Sequence, residues 1–327
     1  MKKNILIVGS AGYIGTVVTK HFLDKNYNII GIDNLIYRQK KNNFEKNNNN
    51  FSFIKLDIKN NIIIKNILKK NKIENVIILA GLVGDPITKK YPKISKSINE
   101  DHIIKLIDIC YKSIFLKKII FVSTCSNYGI AKNLPNEKSK LRPLSLYAKS
   151  KVKIEKYLLS KRNNKISYSI LRFATAFGLS DRMRFDLTLN EFVLNIFKKR
   201  EFDVYDKDTW RPYCHVLDFA SVIYHVINSP KKNIHNQIYN VGLNKNNSTK
   251  QMLVDRISKY LDIKKVKYVS NSIDKRNYRV NFDKLRIKLK YKIKYDIDYG
   301  IKEIIQYLKN NKKINYKKMG NYKVNND

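Results

Sequence analysis

Apolar positions along the chain switch between two spacings. Short runs rich in Ile, Val and Phe read as strands: Lys3 to Val8, Tyr27 to Ile32, Phe51 to Leu56, Asn75 to Leu79, Lys118 to Val122, Tyr168 to Phe173 and Gln237 to Gly242. Between them the spacing becomes helical. Val17, Val18, His21, Phe22 and Leu23 mark one helix, and Ile64, Ile67 and Leu68 a second. Ile103, Ile104, Ile107, Ile109 and Cys110 belong to a long one opening at Asn99, followed by helices over Tyr147 to about Leu159 and Phe219 to Asn228. Strands alternating with helices predict an α/β fold built on a doubly wound parallel sheet. Beyond Gly242 the pattern changes. A helix over Thr249 to Leu261 with Ser248 as N-cap, a strand over Lys265 to Ser270, a short helix over Asp283 to Leu289 and a terminal helix over Ile297 to Leu308 predict a smaller α/β unit. Residues 39–50 are Lys- and Asn-rich and read as a mobile loop or frayed helix; residues 311–327 read as a loose tail. There is no internal repeat.

Two motifs sit on this frame. The first strand runs into Gly9-Ser10-Ala11-Gly12-Tyr13-Ile14-Gly15, a helix follows, and the second strand ends at Asp33. The first glycine permits a tight turn, the second lets a pyrophosphate approach the backbone, and the third allows close helix–strand packing. The helix N-terminus then offers its N–H groups to phosphate. An acid at this distance binds the adenosine ribose and disfavours a 2′-phosphate, so NAD is preferred, with Arg38 keeping NADP as the alternative. The unit is a Rossmann dinucleotide site. The second motif is Tyr147 and Lys151, four residues apart on one helix face. A neighbouring ammonium favours the phenolate, which makes the pair a candidate general acid/base toward an alcohol. Without context such a pair is weak in a chain with 22 tyrosines.

Composition narrows the class. The 327 residues are 43% hydrophobic, enough for a sizeable core, and no stretch approaches the length of a membrane helix. The apolar run before Gly9 is too short for a signal peptide and reads as a strand. Three scattered cysteines, Cys110, Cys125 and Cys214, suggest free thiols in a reducing cytoplasm. The five histidines never reach metal-ligand spacing, so no metal is expected. The formal charge of +39 could suggest nucleic acid, but the lysines are spread over every segment and rise together with Asn and Ile. They read as a compositional bias on a solvated surface, with no nucleic-acid partner expected, and a basic surface also draws in anionic substrates.

The glycine spacing and the Tyr-x-x-x-Lys pair together resemble the extended short-chain dehydrogenase/reductases, specifically the NAD-dependent epimerase/dehydratase family, over Lys3 to about Lys309. The resemblance implies a Rossmann domain over 1–180, with 212–243 returning to it, a substrate domain over 181–211 and 244–312, and a polar tail over 313–327. It implies that Thr124, in Ser123-Thr124-Cys125-Ser126-Asn127-Tyr128-Gly129, acts with Tyr147 and Lys151. Thr124 would hydrogen-bond both the substrate oxygen and the Tyr147 phenol. The cofactor would be held by Gly9, Gly12, Tyr13, Ile14, Gly15, Asp33, Asn34, Asp57, Ile58, Leu79, Ala80, Gly81 and Asn99, besides Tyr147 and Lys151. Val83-Gly84-Asp85-Pro86 looks like one branch of nucleotide-sugar enzymes. Ser180 to Leu187 with Asn190 is similar to hexose or heptose 4-dehydrogenases and 4-epimerases of surface-polysaccharide pathways. Substrate residues would be Thr175, Arg182, Arg184, Asn190, Arg211 and, of Arg276 and Arg279, Arg276. His215 and Asp218 read as packing and capping the next helix rather than as catalysts. Cys125 and Ser126 stand where 4,6-dehydratases carry an acid and a base, which disfavours dehydration, and Cys125 reads as a packed residue. The implied partners are a nucleotide-diphosphate sugar and a second copy in a homodimer, with no membrane. The competing reading is a catalytically silent NAD-sensing or RNA-binding Rossmann scaffold, against which stands the retention of all three catalytic positions.

Overall fold

The computed structural model describes residues 3–39, 44, 48–161, 165–263, 265–270, 274–313 and 315–324. Its main sheet has seven parallel strands: β1 (Asn4–Val8), β2 (Asn28–Asp33), β3 (Phe51–Lys55), β4 (Asn75–Ile78), β5 (Lys118–Thr124), β6 (Ser167–Phe173) and, after three strands that lie elsewhere, β10 (Gln237–Val241). Their spatial order is β10-β6-β5-β4-β1-β2-β3. The chain moves outward from β1 to β3, crosses back, and continues outward from β4 on the other side. At the β1/β4 reversal the following loops diverge and leave a crevice beyond the strand ends. Both faces are covered, which is why β4 and β6 are buried at every position. Helices Asn61–Lys70, Ile103–Tyr111 and Leu146–Ser160 pack on one face through Ile64, Ile67, Leu106, Ile107, Ile154 and Leu158. Helices Tyr13–Asp24 and Val216–Asn228 pack on the other through Val18, Phe22, Phe219 and Ile223.

A smaller unit closes over the crevice. It contains a three-stranded sheet of β11 (Asn247–Thr249), β9 (Trp210–His215) and β7 (Thr175–Phe177), and a parallel pair of β12 (Val266–Val269) with β8 (Phe202–Tyr205). Helices Thr188–Phe197, Lys250–Ser258 and Ile297–Asn310 bury Leu189, Val193, Leu253, Ile257, Ile301 and Ile304 beside these strands. The chain therefore leaves the main sheet at Thr175 and returns with the helix after His215.

Several local expectations are corrected. The cap of helix Lys250–Ser258 is Thr249, whose Oγ1 accepts from Met252 N at 3.1 Å; Ser248 is instead buried in β11. The helix expected to open at Asn99 begins as a π turn over Ser97–His102 and becomes α-helical at Ile103. The tail is not loose over its described part. Tyr316 and Val324 are buried, and Phe185 N donates to Met319 O at 2.8 Å. Val324 joins Leu82 and Ile87 in a small apolar cluster, so the segment crosses from the smaller unit to the main one. Most of the loop expected over 39–50 lies outside the described residues.

Candidate active site

One cleft of about 600 Å³ runs along the β1/β4 crevice and under the smaller unit. Its first end is built by backbone. β1 runs out of Val8 into Gly9, whose φ of +91° is left-handed, and a Cβ there would lie 2.7 Å from Ala80 N. A Cβ on Gly15 would lie 2.1 Å from Gly9 O, so only glycine lets the helix seat against the turn. Gly12 caps helix Tyr13–Asp24 without any side-chain hydrogen bond, leaving that helix end open to the cleft. Asp33 Oδ2 accepts from Ala11 N at 3.1 Å, and Oδ1 accepts from Leu35 N at 2.8 Å and from Gln39 Nε2 at 3.1 Å. Burial pushes its carboxyl up, partly offset by those N–H groups.

Ile14, Asn34, Ile58, Leu79, Ala80 and Gly81 also line this end. Tyr13 lines it too, but its hydroxyl donates to Gly178 O at 2.6 Å and so ties the two units together. Asp57 stands behind the wall, accepting from Asn34 Nδ2 at 3.3 Å. Asn99 does not line the cleft; it is buried and clamps Leu82, accepting from its N at 2.7 Å and donating to its O at 3.0 Å. An open glycine turn, an uncapped helix end and a carboxylate facing the cleft fit a dinucleotide. Arg38 is exposed and absent from the lining, whereas Arg182 does line the cleft, and its charge acts on Asp33. Arg182 thus stands nearer this end than the sugar end expected for it. Burial and the neighbouring Arg184 push its guanidinium down to about 10.

Midway, Thr124 and Tyr147 share the wall. Thr124 ends β5, and Tyr147 lies in the first turn of helix Leu146–Ser160, which Ser145 caps by accepting from Ala148 N at 3.2 Å. The expected Thr124–Tyr147 hydrogen bond is not made. Thr124 Oγ1 accepts from Ser126 N at 3.1 Å, and the Tyr147 hydroxyl makes no hydrogen bond among the described residues.

Lys151 is buried, donates to Val122 O at 2.8 Å, and lies 4.7 Å from the Phe121 ring centroid and 5.7 Å from that of Tyr147. Burial pushes its ammonium down to about 8, against the pull of Glu155. The expected lowering of the Tyr147 pKa by Lys151 does not appear. Burial pushes the phenol well up, Asp85 adds to that, and Arg184 is what opposes it. The ammonium is committed to a carbonyl, and the half-buried phenol lines the cleft.

Beneath both lies a fully buried knot. Glu155 accepts from Arg172 at 2.6 Å, from Ser123 Oγ at 2.5 Å and from Asn127 Nδ2 at 2.8 Å, fastening the helix to β5 and β6. Cys125 is packed as expected, its Sγ 3.1 Å from Arg172 O and its thiol pushed far up by burial.

The far end is built from charge. Arg211 and Arg276, both expected, line it; Thr175 and Arg184 line the same cleft, with Arg184 also within electrostatic reach of Tyr13, Tyr37 and Tyr147. Each arginine is already paired within the chain. Arg211 donates to Asp274 at 3.0 Å and also to Arg276 O, Arg276 pairs with Asp274 and with Asp85 at 2.7 Å each, and Arg184 binds Asp186 at 2.6 Å. Burial alone would raise the Asp274 carboxyl, but Arg276 and Arg211 hold it well below the usual carboxylate range. Asn190 is placed elsewhere: fully buried, it accepts from Gly178 N at 3.0 Å and donates to Arg184 O at 2.9 Å, outside the lining. His215 caps the next helix, its Nδ1 accepting from Leu217 N at 3.2 Å. Asp218 holds Lys294 N and Tyr295 N instead, each at 3.0 Å.

Sequence reasoning gave no role to Asp85, Asp274, Tyr278, Asn321 or Tyr322, all of which line the cleft. Asp85 and Asp274 lay in segments already singled out; nothing in the polar tail pointed to Asn321. Among the described residues no helix is long and apolar enough to cross a membrane, and no group of three His, Cys, Asp or Glu could hold a metal.

A parallel sheet with this order, a glycine turn and an acidic β2 terminus define an NAD-binding Rossmann enzyme fold. A model of the NAD dependent epimerase/dehydratase family matches residues 5–242. An uncharacterized protein of Methanocaldococcus jannaschii is 30% identical over 279 residues, 80% of this chain and 82% of its own. A putative UDP-glucose 4-epimerase of the same organism is 27% identical over 94% of this chain and 99% of its own. Among solved structures, the UDP-glucose 4-epimerase of Thermotoga maritima with UDP-glucose is 25% identical, with a TM-score of 0.81 over 94% of this chain and 99% of that one. A UDP-N-acetylglucosamine 4-epimerase from Methanobrevibacter ruminantium, in complex with UDP-N-acetylmuramic acid, is 26% identical, with a TM-score of 0.80 over 94% of this chain and all of that one. The chain belongs to the NAD-dependent epimerase/dehydratase family of extended short-chain dehydrogenase/reductases, and its cofactor is NAD.

Proposed function

We propose that the chain oxidises a hydroxyl, at C4, of a nucleotide-diphosphate sugar, and either releases the keto sugar as a 4-dehydrogenase or restores the hydroxyl on the other face as a 4-epimerase. The observation that carries this is one cleft that joins the glycine turn, Thr124 and Tyr147, and the arginines Arg211 and Arg276. The glycine turn, Gly9 to Gly15, and Asp33 would hold NAD, which would supply the hydride acceptor for the carbinol carbon. Tyr147 receives the hydroxyl proton and returns it when the carbonyl is reduced. Thr124 orients the sugar oxygen, and Lys151, anchored on Val122 O, holds the catalytic helix face in register with β5. Arg211 and Arg276 meet the diphosphate, with Arg184 and Thr175 beside the sugar. Related proteins named as 4-epimerases of UDP-glucose and UDP-glucuronate support a sugar C4 as the target. Cys125, dry and turned to Arg172 O, is no substitute for the acid or base that dehydration needs.

The reading includes a cytoplasmic homodimer in surface-polysaccharide sugar synthesis without nucleic acid. Leu146 and Leu159 of the Tyr147 helix are exposed, and that helix packs beside helix Ile103–Tyr111. Light scattering should then give twice the chain mass at micromolar concentration. The function itself is tested by incubating the protein and NAD with UDP-, GDP- and dTDP-sugars and weighing the products. A loss of two mass units means dehydrogenase, and unchanged mass with inverted C4 means epimerase. Loss of water, or no turnover of any sugar, refutes the proposal.

A further inference from the structure

Two acceptor atoms of residues lining the cleft have no donor among the described residues. Asp85 opens the short helix Asp85–Lys90 after Gly84, and its Oδ2 takes Arg276 at 2.7 Å. Its Oδ1 is buried and has no hydrogen-bond partner among the described residues. Asn321 reaches the same wall from the C-terminal segment. Its backbone N donates to Asp186 Oδ2 at 3.3 Å and its Nδ2 to Val83 O at 3.4 Å, two residues before Asp85. Its Oδ1 is likewise buried without a partner. Both residues line the cleft. A chain of contacts links Asp85 to the reacting centre: Arg276 Nη1 approaches Ser126 Oγ at 3.4 Å, and Ser126 N donates to Thr124 Oγ1 at 3.1 Å.

A buried acceptor without a donor destabilises the site, a cost removed when a ligand brings the donor. We infer that Asp85 Oδ1 and Asn321 Oδ1 form an acceptor wall of the sugar subsite, selecting a nucleotide sugar that presents hydroxyl or amino hydrogens there and rejecting one that presents a carboxylate. This rests on the nucleotide-sugar reading above. It goes further by assigning the sugar class and by making the C-terminal segment part of the substrate site. A uronate would place its charge against the Asp85 carboxylate, and a site built around hydrogen-bond partners rejects a ligand that leaves them unpaired by large factors.

The test uses the full chain loaded with NAD and calorimetric titration. UDP-, GDP- and dTDP-glucose are titrated first, and the nucleotide that binds is carried on as its glucose conjugate, its glucuronate conjugate and the free nucleoside diphosphate. The wild type is expected to bind the glucose conjugate about tenfold or more tightly than the glucuronate. Asp85→Asn should tighten glucuronate binding by about tenfold, while Asp85→Ala and Asn321→Ala should each weaken the glucose conjugate by about tenfold. The free diphosphate should stay within about twofold in every variant, and unchanged NAD affinity reports intact folding. Three results overturn the inference. One is a wild type that prefers the glucuronate. Another is a set of variants that shift the free diphosphate as much as the sugar conjugates, which would leave Asp85 a role only in holding Arg276. The third is variants with no effect. If no glucose conjugate binds the wild type at all, the nucleotide-sugar reading itself falls, which is a different result from sugar binding that ignores Asp85.

Discussion

The two ends of the cleft are made of different material. At the cofactor end the shape is set by backbone: Gly9 against Ala80, Gly15 against Gly9, an uncapped helix end, and one carboxylate held by main-chain N–H groups. At the sugar end the shape is set by side-chain charge, with Arg211, Arg276 and Arg184 each engaged by Asp274, Asp85 or Asp186. A backbone cradle accepts one ligand shape. A cage of paired charges can be retuned by single substitutions without disturbing the fold, so a family can keep its cofactor while its sugar changes. Between the two ends lies the Tyr147 helix, which belongs to neither and must serve both.

The sharpest way to separate the ends is to remove the group between them. Tyr147→Phe keeps the ring and deletes the hydroxyl. Turnover of the sugar found active should fall by about 10²–10⁴-fold while NAD and sugar affinities hold within a few-fold, measured by steady-state kinetics and titration. Retained turnover would remove Tyr147 as the acid/base. Next in size is the knot under the helix. Glu155→Gln leaves Arg172 buried without its counter-charge, and equilibrium urea unfolding should show a loss of about 3–5 kcal/mol. If the knot supports both ends, NAD and sugar affinities should weaken together; a loss confined to one end would show that the helix serves only that end.

The ends also differed in how far the sequence disclosed them. The glycine turn, β2 ending in Asp33, and the main strands were readable because period and turn chemistry are local properties of consecutive residues. The Tyr147–Lys151 spacing was readable for the same reason. What Lys151 does there was not, because its bond to Val122 O depends on how β5 lies against the helix. Asn99 and Asn190 have the right chemistry for a site but face inward to Leu82 and Gly178. No sequence spacing distinguishes a buried clamp from a ligand contact. Asn321 was invisible for another reason: the tail is polar, and only long-range bonds to Asp186 and Val83 bring it to the cleft. The strands β7, β8, β9 and β11 lack the unbroken Ile and Val run that marked a main strand as short as β4, so nothing in them stood out as a strand.

Lys151 gives a pH test of the middle of the cleft. Its folded pKa of about 8 lies below the unfolded value of 10.5, so over that interval the unfolded chain holds the extra proton. Stability from this residue therefore rises as pH climbs from 8 toward 10.5, by up to about 3 kcal/mol. The buried thiols act the other way: their folded pKa values are raised above 9.0, so they lose stability for the fold as pH passes that value. The difference between wild type and Lys151→Met isolates the lysine. Urea midpoints at pH 7.5 and 9 should show the variant's advantage over wild type shrinking with pH. A difference that does not change with pH would mean that the ammonium is solvated in solution. At the sugar end, Arg211→Ala should weaken nucleotide-sugar binding by about 10- to 100-fold and leave NAD binding within about twofold. Parallel losses of both ligands would erase the distinction between the two ends.

The smallest effect probes the seam itself. Ser145 caps the helix whose first turn carries Tyr147, and its Oγ accepts from Ala148 N. Ser145→Ala should cost about 1 kcal/mol in urea unfolding, the usual value of a lost N-cap. Ser145→Asp, which can accept the same N–H and adds a charge favoured at a helix N-terminus, should restore it. Turnover decides whether the first turn is held by its cap or by the walls around it. The place of the Tyr147 ring in the cleft wall and the anchoring of Lys151 one turn on argue for the walls, since both persist when the cap is gone. On that account the alanine variant should lose stability while its kcat stays within about twofold, given the short reach of terminal fraying. A tenfold fall in kcat, rescued by aspartate, would instead show that the cap sets the angle at which Tyr147 meets its substrate. The catalytic centre would then depend on local helix chemistry, as the cofactor end depends on its turn, and the contrast between a backbone-built and a side-chain-built half would have to be redrawn with Tyr147 on the backbone side.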